Sequence, residues 1–407
     1  LNSGLSGPAR VAITGTGAIS AVGLDVAAHL DAILEGRVGI APAPESAARS
    51  GSPCAAITGY SPEDHFGSKQ LALMDRAAQL AVVAARQALA QAGDALDPAR
   101  PARAGALFGA ALGYDAIEDG YRKMYGEGQT RVHPFLVPRA MPSAPASHVS
   151  MDLKILGPSF NIASACASAT HAIGTAFHMI RSGMLDVAVT GGCEAPLTLG
   201  FMRSWDALRV VSKDTCRPFS RDRRGLVMGE GAGVLVLENM DRARARGARI
   251  LGEIVGFGMS SDAADITAPD PAGAARAMVA ALEDAGLPAD SIDYVQAHGT
   301  GTVLNDRNEA EALRSVLGAR VEKVPVSSSK SMIGHTLCAS GGLSMIFTTL
   351  ALQEGLLPPT MNYTEADPEL GLDCVPNAAR RADIRTAMTN AFAFGGLNAV
   401  LVSSTGR

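Results

Sequence analysis

Two short segments recur in this 407-residue chain, once in each half and in the same order. Ile13-Thr-Gly15-Thr-Gly17, leading to Ser20, is echoed by Ile254-Val-Gly256-Phe-Gly258, leading to Ser260. Ala88-Leu89-x-x-Ala92-Gly93 is echoed by Ala281-Leu282-x-x-Ala285-Gly286. A strand-like segment and a helix-like segment repeated in one order are what a duplicated unit leaves behind. The offsets are 241 and 193 residues, so the first half carries 48 extra residues between its strand and its helix. Further strand-like runs end in small residues at LDVAVTGG, GVLVLE, IDYVQAHGTGT, VPVSSSK and NAVLVSS, and helical patterns such as DRAAQLAVVAARQALAQAG and AARAMVAALEDAG close on Gly93 and Gly286. Alternation of this kind predicts α/β layers with helices packed on mostly parallel sheets. We expect two related α/β halves, residues 1–250 and 251–407, sharing one core because no low-complexity linker separates them.

Composition narrows the function classes. Hydrophobic residues at 47% exclude a disordered chain, and a formal charge of −5 supplies no general field for nucleic acid or an anionic membrane. Charged and polar residues interrupt every apolar run before it could span a bilayer, and the first ten residues lack the pattern of a secretory signal. Six scattered cysteines without CxxC spacing suggest reduced cytosolic thiols, hence a cytoplasmic protein, and no metal site. Gly15-x-Gly17-x-x-Ser20 resembles a dinucleotide loop but lacks the third glycine and the acidic residue about 20 positions on, so it reads as a tight strand-to-helix turn.

The chemistry concentrates in three segments. In GPSFNIASACASATHAIG, Phe160 and Ile162 alternate as in a strand and Ile173, Phe177 and Ile180 follow at helical spacing, with Cys166 at the changeover. A thiol at a helix start faces unpaired N–H groups and the positive end of the dipole, which predicts a lowered pKa. Taken alone, Cys166 reads better as a buried core cysteine, and the other two segments reverse that reading. In IDYVQAHGTGTVLNDRNEAEAL, His298 follows a strand and precedes a glycine turn and a helix start with Asp306 and Glu309; in VPVSSSKSMIGHT, Lys330 and His335 also follow a strand. Strand carboxyl ends are where α/β sheets carry their sites, and one Cys with two His at such corners of related halves points to nucleophilic catalysis.

These motifs resemble those of the β-ketoacyl-acyl-carrier-protein synthases of the thiolase superfamily, most closely the elongating synthase II group. The resemblance runs through VAITGTGAIS, ASACAS, CRPFSRDRRGLVMGEGAGVLVLE, AHGTGT, SSSKSMIGHT and NAFAFGGLNA, nearly the whole chain. It implies a thiolase-like five-layered αβαβα fold with two pseudo-symmetric halves. It also implies decarboxylative condensation of an acyl group held on Cys166 with a malonyl thioester, either in fatty-acid synthesis or as a ketosynthase subunit of a type II polyketide or other specialised pathway. By the same resemblance His298 and His335 donate to the thioester oxyanion, with Lys330 beside them and Asp306 and Glu309 in support. The N–H groups of Cys166 and Phe394 form a second oxyanion site, Phe392 and Phe394 form a gate, and Thr300 and Thr302 bond the phosphopantetheine arm.

The resemblance further implies no required cofactor, an acyl carrier protein as partner, and a homodimer or a heterodimer with a related chain-length subunit. The carrier is typically acidic, so docking needs a local cationic rim, for which Lys69, Arg131, Arg209 and Lys213 fall in matching segments. Ser344 stands where the family has an acid that pairs with the motif lysine, which leaves Asp306 or Glu309 as substitute partners for Lys330. Ala169, Ala393 and Leu397 replace a glycine, a glycine and a threonine, changes expected to narrow or stiffen the gate and acyl channel.

Overall fold

The structure is a computed structural model that describes residues 8–44 and 51–406. Its frame is a ten-stranded mixed sheet. In chain order the strands are β1 (Val11–Ser20), β2 (Ala104–Gly109), β3 (Ser159–Ile162), β4 (Val187–Glu194), β5 (Gly231–Asn239), β6 (Gly252–Ser261), β7 (Tyr294–Gln296), β8 (Val326–Ser327), β9 (Thr386–Ala393) and β10 (Leu397–Ser404). Their spatial order is β8-β7-β9-β10-β6-β1-β5-β4-β2-β3. Each set of five repeats one plan. Counting outward from the middle, the first strand is antiparallel to the fifth, the fifth antiparallel to the fourth, and the fourth, second and third run parallel. The sets join through a short antiparallel pairing of Val11–Ile13 with Gly252–Ile254.

Helices complete the layers. α1 (Arg76–Ala92) and α2 (Ala144–Leu153) cover the outer face of the first set, and α5 (Pro271–Ala285), with α6 (Val303–Leu317) against it, covers the second. α3 (Ser168–Arg181) and α7 (Ser340–Glu354) touch strands of both sets, so the sheet folds over them and they form the middle of an αβαβα stack. A helix in that position has no wet side. Every residue of α7 from Ser340 to Leu352 is buried, and SGGLSMIFTTLALQ accordingly shows no amphipathic stripe.

The two sequence echoes are the two sides of one contact, made twice. A Cβ added at Gly15 or Gly17 would lie 2.0 Å from the Ala88 carbonyl oxygen or 1.9 Å from that of Ala84, both on α1. At Gly256 and Gly258 the corresponding distances are 2.2 Å to Ala281 O and 2.1 Å to Ala277 O, both on α5. Glycine on the strand and alanine on the helix let the two backbones touch. Gly15 and Gly17 therefore lie inside β1 rather than in a strand-to-helix turn, which corrects the sequence reading: the strand runs on to Ser20.

Because the obstructing atoms are backbone, Gly17→Ala and Gly258→Ala should each cost about 2 kcal/mol, by forcing strand and helix apart. Gly67→Ala, whose Cβ meets nothing nearer than Gln70 Oε1 at 3.9 Å, should be neutral. Denaturant midpoints at one protein concentration measure this, and equal midpoints for Gly17→Ala, Gly67→Ala and the parent would refute the contact.

Candidate active site

Cys166 sits at a corner that the backbone must strain to make. Ala165 before it has φ +48°, a left-handed conformation uncommon outside glycine, and α3 starts three residues after Ala165, at Ser168. The Ser168 hydroxyl pins the corner, donating to Ala165 O at 2.6 Å and accepting from the Ser164 N–H at 2.9 Å. The same corner occurs at α7. Leu337 has φ +46°, Cys338-Ala339-Ser340 follows as Cys166-Ala167-Ser168 follows Ala165, and the Ser168 hydroxyl lies 3.4 Å from the Cys338 sulfur. Sequence reading missed this second Cys-Ala-Ser, a repeat of only three residues.

His298 follows β7, and His335 follows the one-turn helix Lys330–Ile333. Their rings meet edge to face, centroids 5.5 Å apart at 84°, and both line the cavity that holds Cys166. The proton on each ring is fixed by what touches Nδ1. The Leu337 N–H, which can only donate, lies 3.2 Å from His335 Nδ1, with the Ser340 hydroxyl at 3.0 Å. The Lys330 ammonium lies 3.5 Å from His298 Nδ1 and donates to the His298 carbonyl at 2.5 Å. Nδ1 is thus the acceptor in His335, whose Nε2 carries the hydrogen, and the ammonium on the Nδ1 side of His298 favours the same form there. Burial first, then the Lys330 charge, holds both imidazoles well below the usual histidine range, so both are neutral at pH 7.

Asp306 and Glu309 are buried on the first turns of α6. Glu309 accepts the N–H groups of His298 (2.8 Å) and Gly299 (2.7 Å) and the Asn390 amide (3.0 Å); Asp306 accepts those of Phe219 (2.7 Å) and Gly301 (3.2 Å). Burial pushes the Asp306 carboxyl up to about 6 and raises that of Glu309. Neither pairs directly with Lys330. Among the described residues no carboxylate lies within ion-pair distance of that lysine, so the expected substitution for the missing acid does not occur as a salt bridge. Instead the two carboxylates hold the backbone of the His298–Gly301 turn and contribute a negative field that opposes the effect of burial on Lys330.

The thiol also departs from expectation. Burial pushes Cys166 up to about 11, outweighing Lys330 and the N–H groups of Cys166 and Phe394, which pull it back. A helix start alone predicted a lowered value. Here the low-dielectric surroundings dominate, and the resting group is a thiol with two N–H groups turned toward its sulfur.

The cavity, of about 110 Å³, is further lined by Trp205, Val210, Leu226, Asp265–Pro269, Thr300, Thr302 and the Phe392–Gly396 segment. The Thr300 and Thr302 hydroxyls are 2.9 Å apart. Phe392, near the end of β9, lies with its ring 5.9 Å from that of His298, and Phe394 stacks on Trp205. Of the three enlarged positions only Ala393 lines the cavity; Ala169 is buried in α3 and Leu397 begins β10. Ser344 is buried within α7. Lys69, Arg131, Arg209 and Lys213 are all exposed. The loop that carries Arg209 and Lys213 brings Val210 to the cavity wall, and Lys213 meets Asp206 at 3.0 Å; Lys69 and Arg131 lie on separate segments, and neither lines the cavity. Sequence reading missed Trp205 and the Asp265–Pro269 segment, although Trp205 is the chain's one tryptophan.

Residues 9–243 match the β-ketoacyl synthase N-terminal domain, and residues 251–364 match the β-ketoacyl synthase C-terminal domain. The chain belongs to the β-ketoacyl synthase family. It is 47% identical to nodulation protein E of Rhizobium sp. (strain N33), covering 96% of this chain and 98% of that one. It is 40% identical to 3-oxoacyl-[acyl-carrier-protein] synthase 2 of Staphylococcus aureus (strain COL), covering 97% of each. Among solved structures, the ishigamide ketosynthase/chain length factor superposes with a TM-score of 0.93 at 35% identity, covering 98% of this chain and 100% of that one. The expected thiolase-like α/β fold and the condensing class of enzyme both stand on these likenesses.

Alkylation of Cys166 by iodoacetamide, followed by peptide mass mapping, should accelerate about tenfold per pH unit from pH 7 to 10 with no plateau, since thiolate is the reactive form. Lys330→Ala removes a cation that lowers the thiol pKa and should slow the reaction throughout that range. A plateau below pH 8 would show a preformed thiolate and contradict the buried thiol.

Proposed function

We propose that this β-ketoacyl synthase is a 3-oxoacyl-[acyl-carrier-protein] synthase in fatty-acid biosynthesis, with Cys166, His298, His335 and Lys330 as its catalytic group. The observation that carries this reading is the pair of neutral imidazoles with Nε2–H beside Cys166. The Cys166 sulfur gives up its proton and attacks the thioester of an acyl carrier, the carrier thiol leaves, and the acyl group is held as a thioester. The N–H groups of Cys166 and Phe394 then bond the oxyanion of that transfer. A malonyl thioester next places its carbonyl oxygen between His298 Nε2–H and His335 Nε2–H. As carbon dioxide leaves, charge develops on that oxygen, and two fixed donors in a dry site stabilise it. The enolate carbon attacks the acyl carbonyl, Cys166 is expelled, and the product is a 3-oxoacyl thioester. No redox step occurs, and the sequence of bond changes calls for no metal or cofactor beyond the carrier's arm. Thr300 and Thr302 are suited to bond that arm, and Phe392 with Phe394 to gate it.

The same reading divides the chain at residue 250, Cys166 on one side and both histidines on the other, and the identical strand order of the two sets supports it. It takes an acidic acyl carrier as partner, with Arg209 next in sequence to the cavity-lining Val210 and with Lys213, Lys69 and Arg131 as further exposed cations. It also takes a second copy of the chain. β3 is a sheet edge with Phe160 38% exposed, next to exposed Leu156 and Met151, and a bare apolar edge of this kind invites strand pairing. A related chain-length subunit at that edge is the second reading, favoured by the likeness to the ishigamide ketosynthase/chain length factor. We place the enzyme in the cytoplasm; among the described residues no helix is long and apolar enough to cross a membrane, and all six cysteines are unpaired.

With purified carrier, Cys166→Ala should abolish acyl transfer to the protein, seen as loss of the mass adduct. His298→Ala and His335→Ala should each lower malonyl-carrier decarboxylation about 10²–10³-fold while acylation of Cys166 persists. An adduct that survives Cys166→Ala, or decarboxylation indifferent to both histidines, would refute the assignment. Arg209→Glu should raise KM for carrier-bound substrate several-fold, most at low salt, and leave turnover of a free pantetheine thioester unchanged; equal effects on both substrates would remove Arg209 from the docking rim.

A further inference from the structure

We propose that Arg223 is a positioning residue that, through Asp306, fixes the turn carrying His298 for the decarboxylation step, an inference that rests on the condensing function above. Charged side chains are rarely buried without a reason, yet that of Arg223 is 4% exposed and that of Asp306 is 0% exposed. The guanidinium stands where three segments meet. Nη1 donates to the Asp367 carboxylate at 2.6 Å and to Ser220 O at 3.0 Å, Nη2 lies 3.5 Å from Val303 O at the start of α6, and Nε lies 3.8 Å from Asp306 Oδ2. That last separation is too long for a hydrogen bond, so Arg223 acts on Asp306 as a charge.

The segment that carries Arg223 is stitched to the turn that follows β7. The Gly225 N–H donates to Gly301 O at 2.9 Å, and the Cys216 thiol donates to Thr300 O at 3.3 Å. The Phe219 ring presses on the same turn, since a Cβ added at Gly299 would lie 2.9 Å from Phe219 Cε2. Asp306 ties segment and turn together: Oδ2 accepts the Phe219 N–H at 2.7 Å, while Oδ1 accepts the Gly301 N–H at 3.2 Å and the Asn305 amide at 3.1 Å. Phe219 has φ +62°, a strained conformation that persists only where neighbours enforce it, and the bond to Asp306 is one of those constraints.

All three of these partners donate, so the ionised carboxylate matches them, and a proton on either oxygen would be a fourth donor among donors. Burial first, and Glu309 one turn further along α6, push Asp306 up to about 6 although Arg223 opposes them. The other ionisable groups that act on it are Lys330 and the thiols of Cys216 and Cys374, both of which burial pushes up to about 12, and Asp367 faces Arg223 from another segment. Asp306 holds the turn above its own pKa and lets go as pH falls through it. Without the Arg223 charge that release comes at higher pH, and the turn that bears His298, Thr300 and Thr302 loosens near neutrality.

The test is the pH profile of malonyl-carrier decarboxylation, a step that makes no bond to Cys166, read from pH 5 to 9. In Arg223→Met the low-pH limb should move up by at least about one pH unit, and its rates should converge on the parent's toward pH 9. Arg223→Lys, which restores the charge, should return the limb to near the parent's. With Asp306→Asn in place nothing titrates at that position, so adding Arg223→Met should not move the limb any further. Asp367→Asn, a milder change that removes an anion and keeps an acceptor for Nη1, should move the limb the other way, to lower pH. A limb unmoved in Arg223→Met with the rate lowered equally at every pH, a limb that rises as far in Arg223→Lys, one that still rises when Arg223→Met is added to Asp306→Asn, or one that rises in Asp367→Asn would overturn the proposal and leave the condensing function intact. Failure of the parent enzyme to decarboxylate malonyl-carrier at any pH would instead overturn the function on which it rests.

Discussion

The hydrogen bond from the Leu337 N–H to His335 Nδ1 governs the arrangement of the site, because a backbone N–H can only donate. It commits Nδ1 to accepting and Nε2 to carrying the proton, and the Lys330 ammonium on the Nδ1 side of His298 favours the same form in that ring. The Leu337 N–H points there because Leu337 is held at φ +46°, and Ala165 at φ +48° turns the chain in the same way at the nucleophile. Residues in that region cost roughly 1–3 kcal/mol each and persist only where the surroundings over-determine them. Those surroundings are the starts of two buried helices packed on glycines. A Cβ at Gly109 would lie 2.2 Å from Ala169 N, and one at Gly192 would lie 2.5 Å from Cys338 O. Remove the glycines and the helix starts move away, carrying both corners with them.

Burial sets the electrostatics of everything gathered at those corners. It raises the Cys166 thiol, lowers both imidazoles and Lys330, and raises Glu309 and Asp306. The neutral imidazole is the form that donates through Nε2 while accepting at Nδ1, so desolvation here favours the state the chemistry uses. Thiol chemistry bears the cost, and the opposing pulls on Cys166 come from Lys330 and from two N–H groups. The family's usual acid is absent at Ser344. Glu309 and Asp306 remain near Lys330, but their oxygens are committed to backbone N–H groups, so they act on the lysine as a field rather than as a partner.

Much of the frame was legible in the sequence because duplication repeats both partners of a contact. Gly15 and Gly17 with Ala88, and Gly256 and Gly258 with Ala281, could be paired as echoes before any contact was known. Their purpose was misread, since a glycine that lets a helix approach and a glycine that turns the chain look the same in one dimension. α7 carried no periodic signal because it is buried on all sides, and the Cys-Ala-Ser of its corner was too short to stand out. Cys166, His298 and His335 could be singled out as candidates from their place after strands, and they line one cavity, but the direction of the Cys166 shift was not legible. A helix start is visible in sequence, whereas the degree of burial depends on what folds over it. Trp205 was missed for a similar reason. It lies in the helix Leu199–Ala207, far in sequence from Cys166 and Phe394, and only the fold sets its ring against the site.

Whether both histidines present Nε2–H as neutral donors can be read by ¹⁵N NMR of histidine-labelled enzyme, with His298→Ala and His335→Ala used for assignment. Both rings should stay neutral from pH 6 to 9, with the proton on Nε2 and Nδ1 unprotonated. An imidazolium at pH 7, or a proton on Nδ1 of either ring, would contradict it.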